Sequence, residues 1–168
     1  MTTLNLRTLK LRSGEQFVGE REIQLAPLEL GGQRYLPVPE AVPAELSITR
    51  ASTGTVFELR FRSRLLGPCY RCLADAVLDQ QISGREYQAT SPESEELLTP
   101  YLDEDRLDLS AWARDAVALA LPEQILCRPD CAGLCPLCGK DLNAEPHTHD
   151  QEQADSRWGA LAELRDRL

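Results

Sequence analysis

Aromatic side chains make up only 5% of this chain, and it has a single methionine. A hydrophobic core must therefore rest on Leu, Val, Ile and Ala packing rather than on ring clusters. Long apolar runs are also missing. The longest, Ala116 to Leu121, is far short of the roughly 20 residues that cross a bilayer. The first residues, Met1 to Arg7 followed by Lys10 and Arg12, lack the apolar stretch of a secretory signal. These absences point to a cytoplasmic protein without a membrane partner, where thiols stay reduced and disulfides are rare. Enzyme signatures are absent too: there is no phosphate-cradling glycine loop, no paired catalytic carboxylates in a legible motif and no Ser-His-Asp arrangement. The expectation is a binding protein, not an enzyme.

Excess positive charge is lacking as well, since the 168 residues carry a net charge of −9. The deficit is uneven. Residues 1–75 balance at +2, whereas residues 76–168 carry −11, so a locally basic N-terminal surface coexists with an acidic C-terminal half.

The first ninety residues are β-rich. Gln16 to Leu25 alternates apolar and polar positions, and Gly31-Gly32-Gln33-Arg34 reads as a turn. Pro37, Pro39 and Pro43 mark an irregular stretch. Ala44–Arg50 and Thr55–Leu66 form a hairpin around Ser52-Thr53-Gly54, and Ala76–Ala89 follows as another strand. The Thr55–Leu66 stretch is the clearest: Phe57, Leu59, Phe61, Ser63 and Leu65 share one face, while Glu58, Arg60, Arg62 and Arg64 share the other. Ser91 to Asp108 reads as an acidic loop. Asp108 then caps a helix with Leu109, Trp112, Ala116 and Leu119 on its apolar face, stopped by Pro122. A last helix over Asp155–Leu168 places Trp158, Leu161 and Leu164 together. The fold class expected is α+β. An antiparallel, barrel-like N-terminal part spans 1–90, an acidic linker spans 91–107, and residues 108–168 hold two helices and a cysteine-rich segment, the whole forming one cooperative domain.

Six cysteines in a reducing compartment need a use. Cys69-Tyr70-Arg71-Cys72 and Cys135-Pro136-Leu137-Cys138 are Cys-x-x-Cys pairs, and Cys127 and Cys131 form a looser third. A Cys-x-x-Cys turn sets two thiolates one tetrahedral edge apart, as Zn²⁺ requires. Gly139 permits the positive φ that turns backbone N–H groups toward sulfur, and Lys140 adds positive charge nearby. A thioredoxin-like pair would sit at a helix N-terminus in a βαβ unit, and neither pair does. A nucleophilic cysteine would need a base, and only His147 and His149 are present. Zinc is therefore the expected cofactor, and two ligand arrangements fit. One puts Cys69, Cys72, Cys127 and Cys131 on one ion and Cys135, Cys138, His147 and His149 on another. The other is a single four-thiolate site joining Cys69 and Cys72 to Cys135 and Cys138.

The run Cys69-Tyr70-Arg71-Cys72-Leu73, the helix end Leu119-Ala120-Leu121-Pro122 and the stretch from Cys127-Arg128-Pro129-Asp130-Cys131 through Cys135-Pro136-Leu137-Cys138-Gly139-Lys140 to Asn143 resemble the YceD family. Its members are bacterial and plastid proteins linked to accumulation of large-subunit ribosomal RNA. The resemblance covers about residues 50–165, and the family often has cysteines where this chain has His147 and His149. It implies a role in synthesis, processing or stability of large-subunit (23S) ribosomal RNA, and it carries over no catalytic residue.

Two kinds of partner follow. Side chains two apart on a strand stand about 7 Å from each other, close to phosphate spacing. Arg60, Arg62 and Arg64, continued by Arg71, are thus candidate contacts to ribosomal RNA or a pre-ribosomal particle. The acidic half offers the alternative of an adaptor docking a basic ribosomal protein or assembly factor.

Overall fold

The computed structural model describes residues 2–91 and 97–149. The helix expected over Asp155–Leu168 and part of the acidic segment lie outside the described residues. The chain divides into two compact units, Met1–Cys131 and Ala132–Leu168.

The first unit is built on a six-stranded antiparallel sheet. Its elements are β1 (Thr3–Asn5), β2 (Gln16–Gln24), β3 (Leu28–Leu30), β4 (Gln33–Pro37), β5 (Ala41–Arg50), β6 (Gly54–Pro68), β7 (Asp75–Ala89), β8 (Leu102–Asp103), β9 (Arg106–Asp108) and α1 (Leu109–Leu119). Strand β6 is the spine. One flank pairs with β7 along its whole length, from Gly54 with Ala89 to Pro68 with Asp75. The other flank is shared, first by β5 and then, at Leu65 and Leu66, by β4. Strand β2 lies outside β5, and β3 lies outside β4. Gly31 and Gly32, both at positive φ (56° and 77°), make the two-residue turn between β3 and β4.

The alternation in β6 sorts its faces as expected. Phe57, Leu59, Phe61, Ser63 and Leu65 are buried, and Arg60, Arg62 and Arg64 are exposed. Helix α1 packs against β7 and β2, with Leu109, Trp112, Ala113 and Val117 inward. Gly84 of β7 makes room for the indole, because a Cβ there would stand 2.9 Å from Trp112 Nε1. The Asp108 carboxylate accepts from the Ala111 N–H at 3.0 Å, capping the helix.

Four expectations change. The sheet is not closed into a barrel: β2 and β7 are opposite edges with no pairing between them, and α1 covers one face. The proline-rich stretch is not simply irregular, since Pro37 ends β4 and Pro43 lies within β5 opposite Glu22. Lacking an N–H, Pro43 ends the ladder between β5 and β6, whose last pair is Ala44 with Phe61. The segment before α1 is not wholly loop, because β8 and β9 pair there and β1 adds to β9. Finally, Leu119 is 88% exposed. It repeats the azimuth of Trp112 one heptad later, but it sits in the last turn of the helix. Among the described residues, no helix is long and apolar enough to cross a membrane.

Candidate metal centres

The first Cys-x-x-Cys sits in the connection between β6 and β7. Here the chain reverses with Leu73 at positive φ (62°), the Cys69 N–H donating to Ala74 O at 2.7 Å and the Leu73 N–H to Cys69 O at 3.0 Å. The segment after α1 comes up beside this turn, held by the Tyr70 N–H donating to Ile125 O at 2.8 Å. That contact delivers Cys127 and Cys131. The sulfurs of Cys69 and Cys131 are 3.8 Å apart, and those of Cys72 and Cys127 are 3.6 Å apart. All four sulfurs lie within 4.8 Å of one another. A disulfide would need about 2.05 Å, so these are free thiols. Four sulfurs at roughly 2.3 Å from a tetrahedral ion would be about 3.8 Å apart, so the donor spacing fits a metal ion. Cys69, Cys72 and Cys131 are buried, and Cys127 reaches the surface.

The electrostatics follow from this packing. Burial raises the Cys69 thiol, but backbone N–H groups of Cys72, Cys127 and Arg71 outweigh it and leave the thiol lowered to about 6. Cys127 goes the other way, pushed up to about 12 by burial and by the neighbouring thiols of Cys72, Cys131 and Cys69. The neighbouring thiols thus act on one another, the coupling expected of ionisable groups that crowd together.

The second cluster lies within Ala132–Leu168. Cys135 and Cys138 flank a tight turn in which the Cys135 N–H donates to Lys140 O at 2.8 Å, the Gly139 N–H donates to Cys135 O at 2.8 Å, and Gly139 takes φ 74°. The N–H groups of Cys138 and Leu137 lower the Cys135 thiol to about 6. The imidazole of His147 stands 3.1 Å from Cys138 Sγ through Nε2. Its Nδ1 lies 2.7 Å from Glu145 O, so a proton on Nδ1 donates to that carbonyl and Nε2 keeps its lone pair, directed at the Cys138 sulfur. This is the outer contact that orients a metal-ligating histidine. The same carbonyl raises the His147 pKa, helped by the Cys135 thiolate. His149 completes the set, with the donor atoms of Cys135, Cys138, His147 and His149 again within 4.8 Å of one another. Of the two arrangements that spacing leaves open, these groupings match the one with two clusters. Lys140 is held by Glu145, with its ammonium 2.8 Å from Glu145 Oε2.

The arginine row has a different fate. Arg60 pairs with Glu45 at 3.5 Å and Glu58 at 3.8 Å. Arg64 makes a two-pronged pair with Asp79, at 2.7 and 3.2 Å, which holds the Asp79 carboxyl below its ordinary range. Arg62 has no ion-pair partner among the described residues. Arg71 reaches across to the segment after α1, donating to Cys131 O at 3.0 Å, so its guanidinium braces the first cluster. Sequence reasoning missed the Arg71 brace, the Ile125 carbonyl and the Glu145 carbonyl. All three act through backbone oxygens, which every residue carries and no motif marks.

Among the described residues, an open β-sheet with one packed helix and two four-donor clusters, one of thiols and one of thiols and imidazoles, defines a class of protein built around metal-competent cysteine turns. Within that class the chain belongs to the YceD family: residues 57–165 match the family described as large ribosomal RNA subunit accumulation protein YceD. An uncharacterized protein of Mycobacterium tuberculosis is 35% identical over 125 residues, 71% of this chain and 60% of that protein. One of Mycobacterium leprae is 35% identical over 102 residues, 57% of this chain and 46% of that protein. An Arabidopsis thaliana protein, large ribosomal RNA subunit accumulation protein YCED homolog 1, chloroplastic, is 32% identical over 62 residues, 37% of this chain and 19% of its own length. The chain thus spans about three-fifths of the length of the first of these relatives. No solved structure matches.

Proposed function

We propose that this protein is a non-catalytic, zinc-stapled factor acting in the synthesis, processing or stability of large-subunit ribosomal RNA. The observation that carries the metal part is the sulfur spacing of 3.6 and 3.8 Å in the first cluster, which fits a thiolate-bound tetrahedral ion. Thiolate-rich four-donor sets of this kind favour zinc. Cys69, Cys72, Cys127 and Cys131 hold one ion, and Cys135, Cys138, His147 and His149 hold the second. With four protein ligands each, neither ion keeps an open position for substrate water, so both act as scaffold. The ribosomal part rests on family membership.

How the protein reaches the ribosomal precursor has two readings. Direct contact with RNA would use the exposed arginines of β6. Docking of a basic ribosomal protein or assembly factor is favoured by the −11 charge on residues 76–168 and by the carboxylates that already neutralise Arg60 and Arg64. The test joins two measurements. Elemental analysis of protein purified without added metal should give two zinc ions per chain, and cells depleted of the protein should lose large subunits and their RNA selectively. A metal-free, fully folded protein would refute the staple, and an unchanged ribosome profile would refute the ribosomal role.

A further inference from the structure

The shared flank of β6 leaves a gap. Pairing with β5 stops at Phe61 because Pro43 has no N–H to offer, and pairing with β4 resumes only at Leu65. Between them the Arg64 carbonyl is taken by the Val38 N–H at 2.9 Å. Backbone polar groups on an antiparallel strand alternate sides, so the Arg62 carbonyl faces the same flank as that of Arg64. There it meets Pro43 and has no ladder donor. The gap opens as a groove of about 840 Å³, within the range of sites that hold ligands. Val38, Pro39 and Pro43 supply apolar walls, and Arg60, Arg62 and Arg64 form the rim.

The occupant can be argued from these groups. The walls call for aliphatic contact, and Val38 is 45% exposed. The carbonyl calls for an N–H donor. The guanidinium of Arg62, without an acidic partner among the described residues, calls for one anion, whereas its neighbours are already held by Glu45 and Asp79. A polyphosphate backbone fits poorly, because those flanking carboxylates would repel a row of negative charges. A stacked base fits poorly too, since the aromatic ring lining the groove, Phe61, is only 5% exposed. We propose that this groove binds an apolar peptide segment of a partner protein bearing one carboxylate, seated on Arg62. Its backbone N–H meets the Arg62 carbonyl, and its aliphatic side chains cover Val38, Pro39 and Pro43. This holds whether or not the protein acts on ribosomal RNA.

The test uses the full chain and three probes read by fluorescence anisotropy. They are a nine-residue N-acetylated peptide of aliphatic residues with one central aspartate, the same peptide with asparagine, and an oligouridylate. The aspartate peptide should bind at least about tenfold more tightly than the asparagine peptide, because a charge-assisted hydrogen bond is lost in the second. Arg62→Gln should erase that preference. Arg85→Gln, an exposed arginine on β7 outside the groove, should leave it intact. On titration of the aspartate peptide, the backbone amides of Arg62 and Ser63 should shift in a ¹⁵N spectrum. Equal binding of the two peptides, or none by either, overturns the proposal. Equal effects of the two arginine substitutions also overturn it, as does oligouridylate binding that Arg62→Gln abolishes, which would make this an RNA surface. Arg62 is exposed, so its replacement leaves the fold intact, which a thermal melt verifies.

Discussion

Replacing Cys127 with serine is the sharpest test of the first cluster. Cys127 is the exposed member, so the change does little packing damage, and what it removes is one corner of the metal site. An ion in the proposed site would tie β6 and β7 to the segment after α1, joining residues 62 apart (Cys69 and Cys131) and 55 apart (Cys72 and Cys127). A cross-link closing a loop of that size lowers the entropy of the unfolded chain by an amount worth about 4 kcal/mol at 25 °C. In a unit of this length each kcal/mol moves the melting temperature by about 4 °C. Cys127→Ser should therefore lower Tm by up to about 15 °C and reduce bound zinc from two ions to one. The decisive arm is chelation. If the effect acts through the metal, wild type and variant should melt together once zinc is stripped, because the two perturbations remove one interaction. A variant that keeps both ions and its Tm would refute the staple. A variant that still melts well below wild type in chelator would show that Cys127 acts through packing alone.

Two further outcomes follow from the structure. Gly84→Ala places a methyl group 2.9 Å from the Trp112 indole nitrogen, closer than side chains tolerate, so the buried ring must shift. It should destabilise by about 1–3 kcal/mol in chemical denaturation, and an unchanged midpoint would mean that α1 does not sit against β7 as described. Acidification should release metal. Metal ligands must be deprotonated, and the Cys69 and Cys135 thiols are lowered to about 6, against an unfolded thiol near 8.5. Their contribution is complete above the unfolded value and is lost as pH falls through about 6. Tm should therefore be highest above about pH 8.5 and fall progressively as the pH is lowered to about 6, with zinc loss; a flat profile would refute this.

What could be read without coordinates follows a physical division. Period-2 alternation fixes a face wherever one side of a strand is buried, so Phe57 to Leu65 and the β5–β6 hairpin were legible, as was the Asp108 cap. The barrel was not, because closure depends on whether the edge strands β2 and β7 meet, and alternation along either strand is the same in an open sheet. Cysteine spacing marks thiols that can share an ion, but spacing is local. The partners of Cys69 and Cys72 were left open because they lie more than fifty residues away, and what brings Cys127 and Cys131 there is a backbone bond from Tyr70 to the Ile125 carbonyl. The pairing of the arginine row was hidden for a related reason. Alternation placed Arg60, Arg62 and Arg64 on one exposed face, but a single strand does not reveal its cross-strand neighbours. Register opposes Arg60 to Glu45 and Arg64 to Asp79, which turns a basic stripe into alternating pairs with one cation left over. Exposed pairs of this kind contribute little to stability, yet they decide what the surface attracts. The composition of one strand suggests a polyanion, whereas the sheet as paired leaves Arg62 as the member of the row without an ion-pair partner among the described residues, beside the apolar gap that the proposed peptide would fill.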